Sequence, residues 1–214
     1  MRNLDSANLS AAALRIFIAG VLAMLAACSS APRQSMLPAR ALAAPAAVPA
    51  REFQQVLVAQ YHEREMKMLV AGRISETAVD LSAMTPQGAP LFNVHFDGTT
   101  AQIDKQIGVP DGLSPQSILE DLQLVYWPTA QLNQLWSATD VAGWQVQDTN
   151  EGRELTLNSR PIITVKSAQD SWSGVVELQH LIYGYHLTIT TLSQTLIFSK
   201  QSASPQQTTT PSLP

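Results

Sequence analysis

Three places in this chain bring side chains of catalytic type close together. His95-Phe96-Asp97 sets an imidazole and a carboxylate two residues apart. In an extended strand both would point to one face, as an acid–base pair or two metal ligands would need. No third ligand follows in the sequence, and Asp97-Gly98-Thr99-Thr100 is turn chemistry that accounts for the carboxylate by itself. His180 and His186 fall within the last apolar-alternating segments, with no nucleophile beside either, and read as exposed or hydrogen-bonded strand residues. Glu120-Asp121 lies in a stretch of helical period and reads as that helix's solvated face. The sequence has no nucleophile elbow, phosphate-binding loop or dinucleotide fingerprint. The expectation is a protein that is not an enzyme and holds no metal or cofactor.

Cys28 is a different matter, since it is the only cysteine in the chain. Ile16 to Leu25 is an uncharged apolar run of ten residues, preceded by Arg2 and Arg15 with Asp5 the only opposing charge. As a helix, ten residues rise about 15 Å, half of a bilayer's hydrocarbon thickness of about 30 Å. The run is too short to span, and its basic flank, apolar middle and small-residue end are those of a secretory signal. Leu25-Ala26-Ala27-Cys28 resembles the lipobox of bacterial lipoproteins. The resemblance implies cleavage between Ala27 and Cys28, a diacylglycerol on the Cys28 sulfur, and an acyl chain on the new amino group. Ser29 stands where an inner-membrane retention signal would have Asp, so the resemblance further implies the periplasmic face of the outer membrane. No second cysteine competes for this thiol as a disulfide partner.

Cleavage there removes 27 of the 214 residues and leaves 187, with the formal charge moving from −4 to about −5. A mildly acidic chain without a basic tract argues against a nucleic-acid partner. Only 14% of residues are charged, against a usual quarter, so this chain has more apolar surface than most to hide.

Residues 29–50 carry four prolines, many alanines and no apolar period, and together with Cys28 read as a lipidated tether, residues 28–50. Residues 201–214 read as a disordered tail, which leaves one domain at 51–200. Its first part alternates as strands: 54–61, 65–75, 76–85, 91–96 and 101–107. Ser114-Pro115 starts a helix, Pro128 ends it, and a second short helix fits 130–137. Strands return at 143–148, 153–158, 161–166, 172–183, 185–192 and 195–199. Ten or eleven strands and two central helices predict a mainly β protein curled into a barrel or half-barrel.

The helical segment 118–136 has a motif of its own: Leu119, Asp121, Leu122, Gln123, Leu124, Trp127 and Pro128. With Tyr185, Leu187 and Ile189 in the last strands, it resembles a family of bacterial lipoproteins encoded in aryl-polyene gene clusters. That family is similar in turn to the lipoprotein carrier LolA and its receptor LolB. The resemblance covers about residues 60–192, and implies an incomplete antiparallel barrel whose concave apolar face is covered by helices and takes up acyl chains. Two functions follow as expectations. One is an outer-membrane lipoprotein that binds acyl chains of a lipid or lipoprotein cargo, its groove lined by Met68, Leu81, Leu119, Leu122, Trp127 and Trp136, with Met66 and Met84 as further candidates. The other is a structural or adaptor lipoprotein of the envelope with a filled barrel.

Overall fold

The computed structural model describes residues 37–106, 109, 113–138, 143–167 and 170–198. Two compact units divide the chain, Met1–Pro38 and Ala39–Pro214, and every element named below belongs to the second. Ala27, Cys28 and the tail 201–214 lie outside the described residues.

Five strands come first: β1 (Arg51–Tyr61), β2 (Arg64–Ile74), β3 (Val79–Met84), β4 (Pro90–Phe96) and β5 (Ala101–Lys105). Two helices follow, α1 (Pro115–Tyr126) and α2 (Thr129–Ser137). Five more strands complete the fold: β6 (Trp144–Thr149), β7 (Gly152–Leu157), β8 (Arg160–Ser167), β9 (Val175–His180) and β10 (Tyr185–Leu196). All ten strands form one antiparallel sheet in the order β5-β4-β3-β2-β1-β10-β9-β8-β7-β6. Each half is a meander, and the first and last strands pair at its centre. The sheet is open, with β5 and β6 at its two edges.

Alternation along each strand fixes which face is covered. Phe53, Val70, Ile74, Val79, Leu81, Val94, Phe96, Leu155, Val165, Val176 and Leu178 are all buried, and their register places them on one inner face. Between them the outer face carries Glu52, Gln54, Arg73, Asp80, Asn93 and His95, all exposed. The helix signals act as read. Ser114 Oγ accepts from the Ser117 N–H at 3.0 Å, Pro115 opens α1, and Pro128 stops it one residue after its C-cap Trp127.

The sequence suggested two strands at 185–192 and 195–199, but these are one strand, β10. Gln54 pairs with Ser193 and Gln55 with Thr191, so Leu192 is an extra residue at a bulge. That residue breaks the period of two and pushes a leucine to the surface, which mimics a turn in the sequence. Strand β9 is shorter than the expected 172–183, because Trp172 comes from a turn and its ring packs inward.

Phe53 lies flat over Gly72, its cross-strand partner. A Cβ at Gly72 would come within 2.0 Å of the Phe53 ring, which is itself packed against Trp172 at 5.3 Å. Gly72→Ala is therefore expected to overpack this corner and lower the melting temperature by roughly 3–10 °C. A melt unchanged from wild type would show that the ring has room to move.

Candidate functional site

On the inner face, the register lines up rows of apolar side chains that run from the surface into the core. Met66, Ala59, Leu187 and Leu178 form one row across β2, β1, β10 and β9. Met68, Leu57, Ile189 and Val176 form the next. Met66 is 36% exposed and Leu57 and Leu187 are half-buried, while Met68, Ile189, Val176 and Leu178 are buried. The result is an apolar track that begins at the β1–β2 hairpin end of the sheet and deepens away from it. Helix α1 lies over the same face, since Tyr126 Oη accepts from Gln55 Nε2 at 2.6 Å and Tyr185 Oη donates to Asp121 Oδ2 at 2.5 Å.

Of the residues expected to line a groove, Met68 and Leu81 are on this inner face, and Leu122 of α1 is half-buried. Leu119 is fully buried. Met84 is set apart, at an irregularity of the β3–β4 pairing. Trp127 and Trp136 are buried, and their indole N–H groups donate to the carbonyls of Ala44 at 3.2 Å and Ala41 at 3.0 Å.

Those two bonds belong to a set that corrects the expected domain boundary. Residues 39–48 fall within the expected tether, yet they form a strap packed on the helices, with Arg40, Ala43, Pro45 and Val48 buried. Gln116 Nε2 donates to the Arg40 carbonyl at 2.7 Å, and the Arg40 N–H donates to Glu120 Oε1 at 2.8 Å. The Gln123 amide accepts from the Ala43 N–H at 2.7 Å and donates to its carbonyl at 2.9 Å. Gln116, Glu120, Gln123 and Trp127 recur at helical spacing and so share one stripe of α1. A segment with no apolar period of its own is ordered because side chains 80 residues away satisfy its main chain.

Arg40 also corrects the reading of Glu120 and Asp121 as solvated. Its guanidinium pairs with Glu120 at 3.3 Å and Asp121 at 3.4 Å, both carboxylates being only 14% exposed. Its Nη1 is buried without a partner, and the group sits 5.8 Å from the centre of the Trp144 ring. Burial pushes the Asp121 carboxyl up to about 6, although Arg40 and the Tyr185 hydroxyl hold it down. Burial and the neighbouring Asp121 keep the Tyr185 phenol protonated well above its usual range. His180 is buried, stacks on Tyr183 and is pushed down to about 4, first by burial and then by Arg40, so it is neutral at physiological pH. Its Nδ1 accepts from the Tyr183 N–H at 3.2 Å, and His186 is half-buried.

Two further contacts had no local signal in the sequence. Arg153 of β7 donates from Nη1 to the carbonyls of Leu124 at 2.9 Å and Trp127 at 2.6 Å, placing a cation on the C-terminal end of α1. The Asn133 amide of α2 bonds both the N–H and the carbonyl of Val146, which covers the free edge of β6. The His95–Asp97 pair does not assemble. Asp97 accepts from the N–H groups of Thr99 and Thr100, while His95 meets Asp80 at 2.7 Å on the exposed outer face. Two open clefts of about 430 and 290 Å³ are on that outer face, around Gln54, Arg73 and Asp80 and around Asp80, Asn93 and Asp104. Among the described residues, no three His, Cys, Asp or Glu side chains gather as a metal site would need, and no helix is long and apolar enough to cross a membrane.

The inner face, its helical cover and the strap define a mainly β protein, one ten-stranded antiparallel open sheet with two short helices over its apolar face. The chain belongs to the family described as protein of unknown function DUF3261, whose model matches residues 52–193. The strap lies just upstream of the matched segment. No curated protein matches the chain.

Two outcomes test the strap. A fragment beginning at Arg51 is expected to melt well below one beginning at Ala39, because Gln123 and the indoles of Trp127 and Trp136 would lose their partners. Equal melts would return residues 39–48 to the tether. Asp121 titrates higher in the folded chain than in the unfolded one, so its contribution is present below about pH 4 and lost as pH rises through about 6. Arg40→Gln removes that carboxylate's counter-ion and leaves it only the Tyr185 hydroxyl. Urea unfolding should show a loss of about 3 kcal/mol at pH 8 and markedly less at pH 5, where Asp121 takes a proton. The same loss at both values would mean that the pair contributes nothing through charge.

Proposed function

We propose that this chain is a lipoprotein of the outer membrane, held at the periplasmic face through acylated Cys28, that takes up an acyl chain along the inner face of its sheet. The cargo is a lipid or a lipidated molecule, such as an aryl-polyene lipid or another lipoprotein, which the chain helps to place in the membrane. No covalent chemistry is involved. An acyl chain leaving a bilayer forfeits about 0.8 kcal/mol per CH₂, and an apolar face of matching length returns about the same, so exchange is close to neutral. The observation that supports this reading is the track through Met66, Ala59 and Leu187 into Met68, Leu57 and Ile189, open at the hairpin end and covered by α1 beyond it. The strand–helix–strand order is also what the resemblance to LolA and LolB implies.

A filled-barrel adaptor is the second reading, favoured by the complete burial of Leu119, Trp127 and Leu132 beneath and beside the cover. Uptake then requires α1 to lift, and the two readings part at a site that does not hold the fold together. Met66 is 36% exposed, so Met66→Glu should leave the thermal melt within a few degrees of wild type. A charge facing hydrocarbon costs several kcal/mol, so a fluorescent fatty acid should bind residues 28–214 at least tenfold more weakly in the variant. A wild-type chain that binds neither this probe nor bis-ANS overturns the carrier and leaves the adaptor.

A further inference from the structure

The end of the sheet at which the apolar track opens is also the end at which the strap enters. Tyr61, the last residue of β1, pairs with Tyr185, the first of β10, and Tyr185 pairs with His180, the last of β9. The β1–β2 and β9–β10 turns therefore project side by side. Tyr61 is 46% exposed and Leu181 44%, and with Met66 they give this end an apolar rim. Arg40 is tied to the same end, because it pairs with Asp121, which holds the Tyr185 hydroxyl. From there the strap runs past Gln123 and Trp127 to Arg51, which opens β1 at the opposite end of the strand.

Chain length makes this direction matter. Arg40 is only twelve positions after Cys28. Such a segment reaches about 40 Å at full stretch and averages about 20 Å as a coil. A second apolar group, Leu192, Leu196 and Phe198, lies at the far end, where Leu196 pairs with Arg51. That end is about 33 Å away by the length of β1, so bringing it to the bilayer needs the segment almost fully extended. The near end needs no such extension. Its rim is tyrosine, leucine and methionine, side chains suited to the boundary between headgroup and acyl chain. The charges between Tyr61 and Met66 cancel, with Glu63 and Glu65 against Arg64 and the neighbouring Lys67.

We propose that the paired turns at 61–66 and 181–184 form a membrane-docking surface, seated on the lipid bilayer that carries the Cys28 anchor. The apolar track then opens onto the bilayer itself rather than into water. The inference rests on the lipid-anchor reading above. Balanced charge means that docking does not require anionic lipid and is insensitive to salt.

The test uses residues 28–214 with Cys28 unacylated. Its single thiol is coupled to a maleimide-bearing lipid in phosphatidylcholine vesicles, and the thiol-capped chain in solution is the reference. Amide hydrogen exchange at 61–66 and 181–184 is expected to slow at least threefold on tethering, while 192–198 is unchanged. Tyr61→Ser combined with Leu181→Ser should couple equally well and lose the slowing. No slowing at either turn, or slowing confined to 192–198, overturns the proposal. Slowing that grows with the density of protein on the vesicle assigns the rim to a second copy of the chain and overturns it as well. The link is chemical, so docking is tested apart from natural acylation. An unmodified Cys28 in protein taken from cells would overturn the anchor reading alone.

Discussion

The pairing of β1 with β10 is the constraint from which the rest of the architecture follows. It runs from Arg51 with Leu196 to Tyr61 with Tyr185, and it places the ends of the domain's chain at the centre of the sheet. The two edges are then β5 and β6, which are consecutive in sequence. Whatever joins them must cross from one edge of the sheet to the other. Laid flat, ten strands put those edges about 43 Å apart, while α1 and α2 together rise about 31 Å. A curled sheet shortens the crossing, and a crossing over one face covers that face. The apolar inner surface and its helical cover are consequences of where two strands meet.

The cover buries apolar side chains such as Leu119, Leu124 and Leu132, and polar groups fasten it at particular places. Gln55 and Tyr126, Tyr185 and Asp121, Arg153 and the end of α1, and Asn133 and the β6 edge each join a helix to a strand through a hydrogen bond. Each contributes about 1 kcal/mol net when made and costs more when one partner is left buried and unpaired. Such contacts fix position better than they add stability. An apolar helix can slide on an apolar sheet, whereas Asn133 can meet both main-chain groups of Val146 in one place only. Arg40 illustrates the cost: its guanidinium has two carboxylates to satisfy it and still leaves Nη1 without a partner.

What could be read from the sequence was whatever is decided locally. The alternation at 91–96, the Asp97-Gly98 turn, the Ser114-Pro115 start and the stop at Pro128 depend on neighbours within a few residues, and all are seen in the fold. The strap could not be read this way, because Ala41, Ala43 and Ala44 contribute only main-chain groups and the absence of bulk that lets helix side chains approach. Its order is encoded in Gln116, Glu120, Gln123 and the two tryptophans, far along the chain. Glu120 and Asp121 looked solvated for the same reason: nothing near them in sequence indicates that Arg40 and Tyr185 arrive from either side. A glutamine at position 123, in line with Trp127, was the one available sign that this stripe faces protein rather than water.

Tyr185 links the apolar track to the strap. It lies on the inner face beside the row through Leu187, and its hydroxyl holds the carboxylate that also holds Arg40. On the proposed carrier reading, raising α1 to admit a chain breaks the Tyr185 and Gln55 bonds and strains those from Arg153, a cost of about 4 kcal/mol. A chain entering from water gains about 0.8 kcal/mol per methylene, so around five offset that cost, whereas one drawn from the bilayer exchanges one apolar surface for another and meets the cost in full. Short apolar molecules would leave the cover shut. The strap is bonded to α1 through Gln116, Glu120, Asp121 and Gln123 and would lift with it, so occupancy of the track and the position of the chain leading to Cys28 are coupled through that helix. A cover held by apolar packing alone would lack that threshold, because the entering chain would replace like with like.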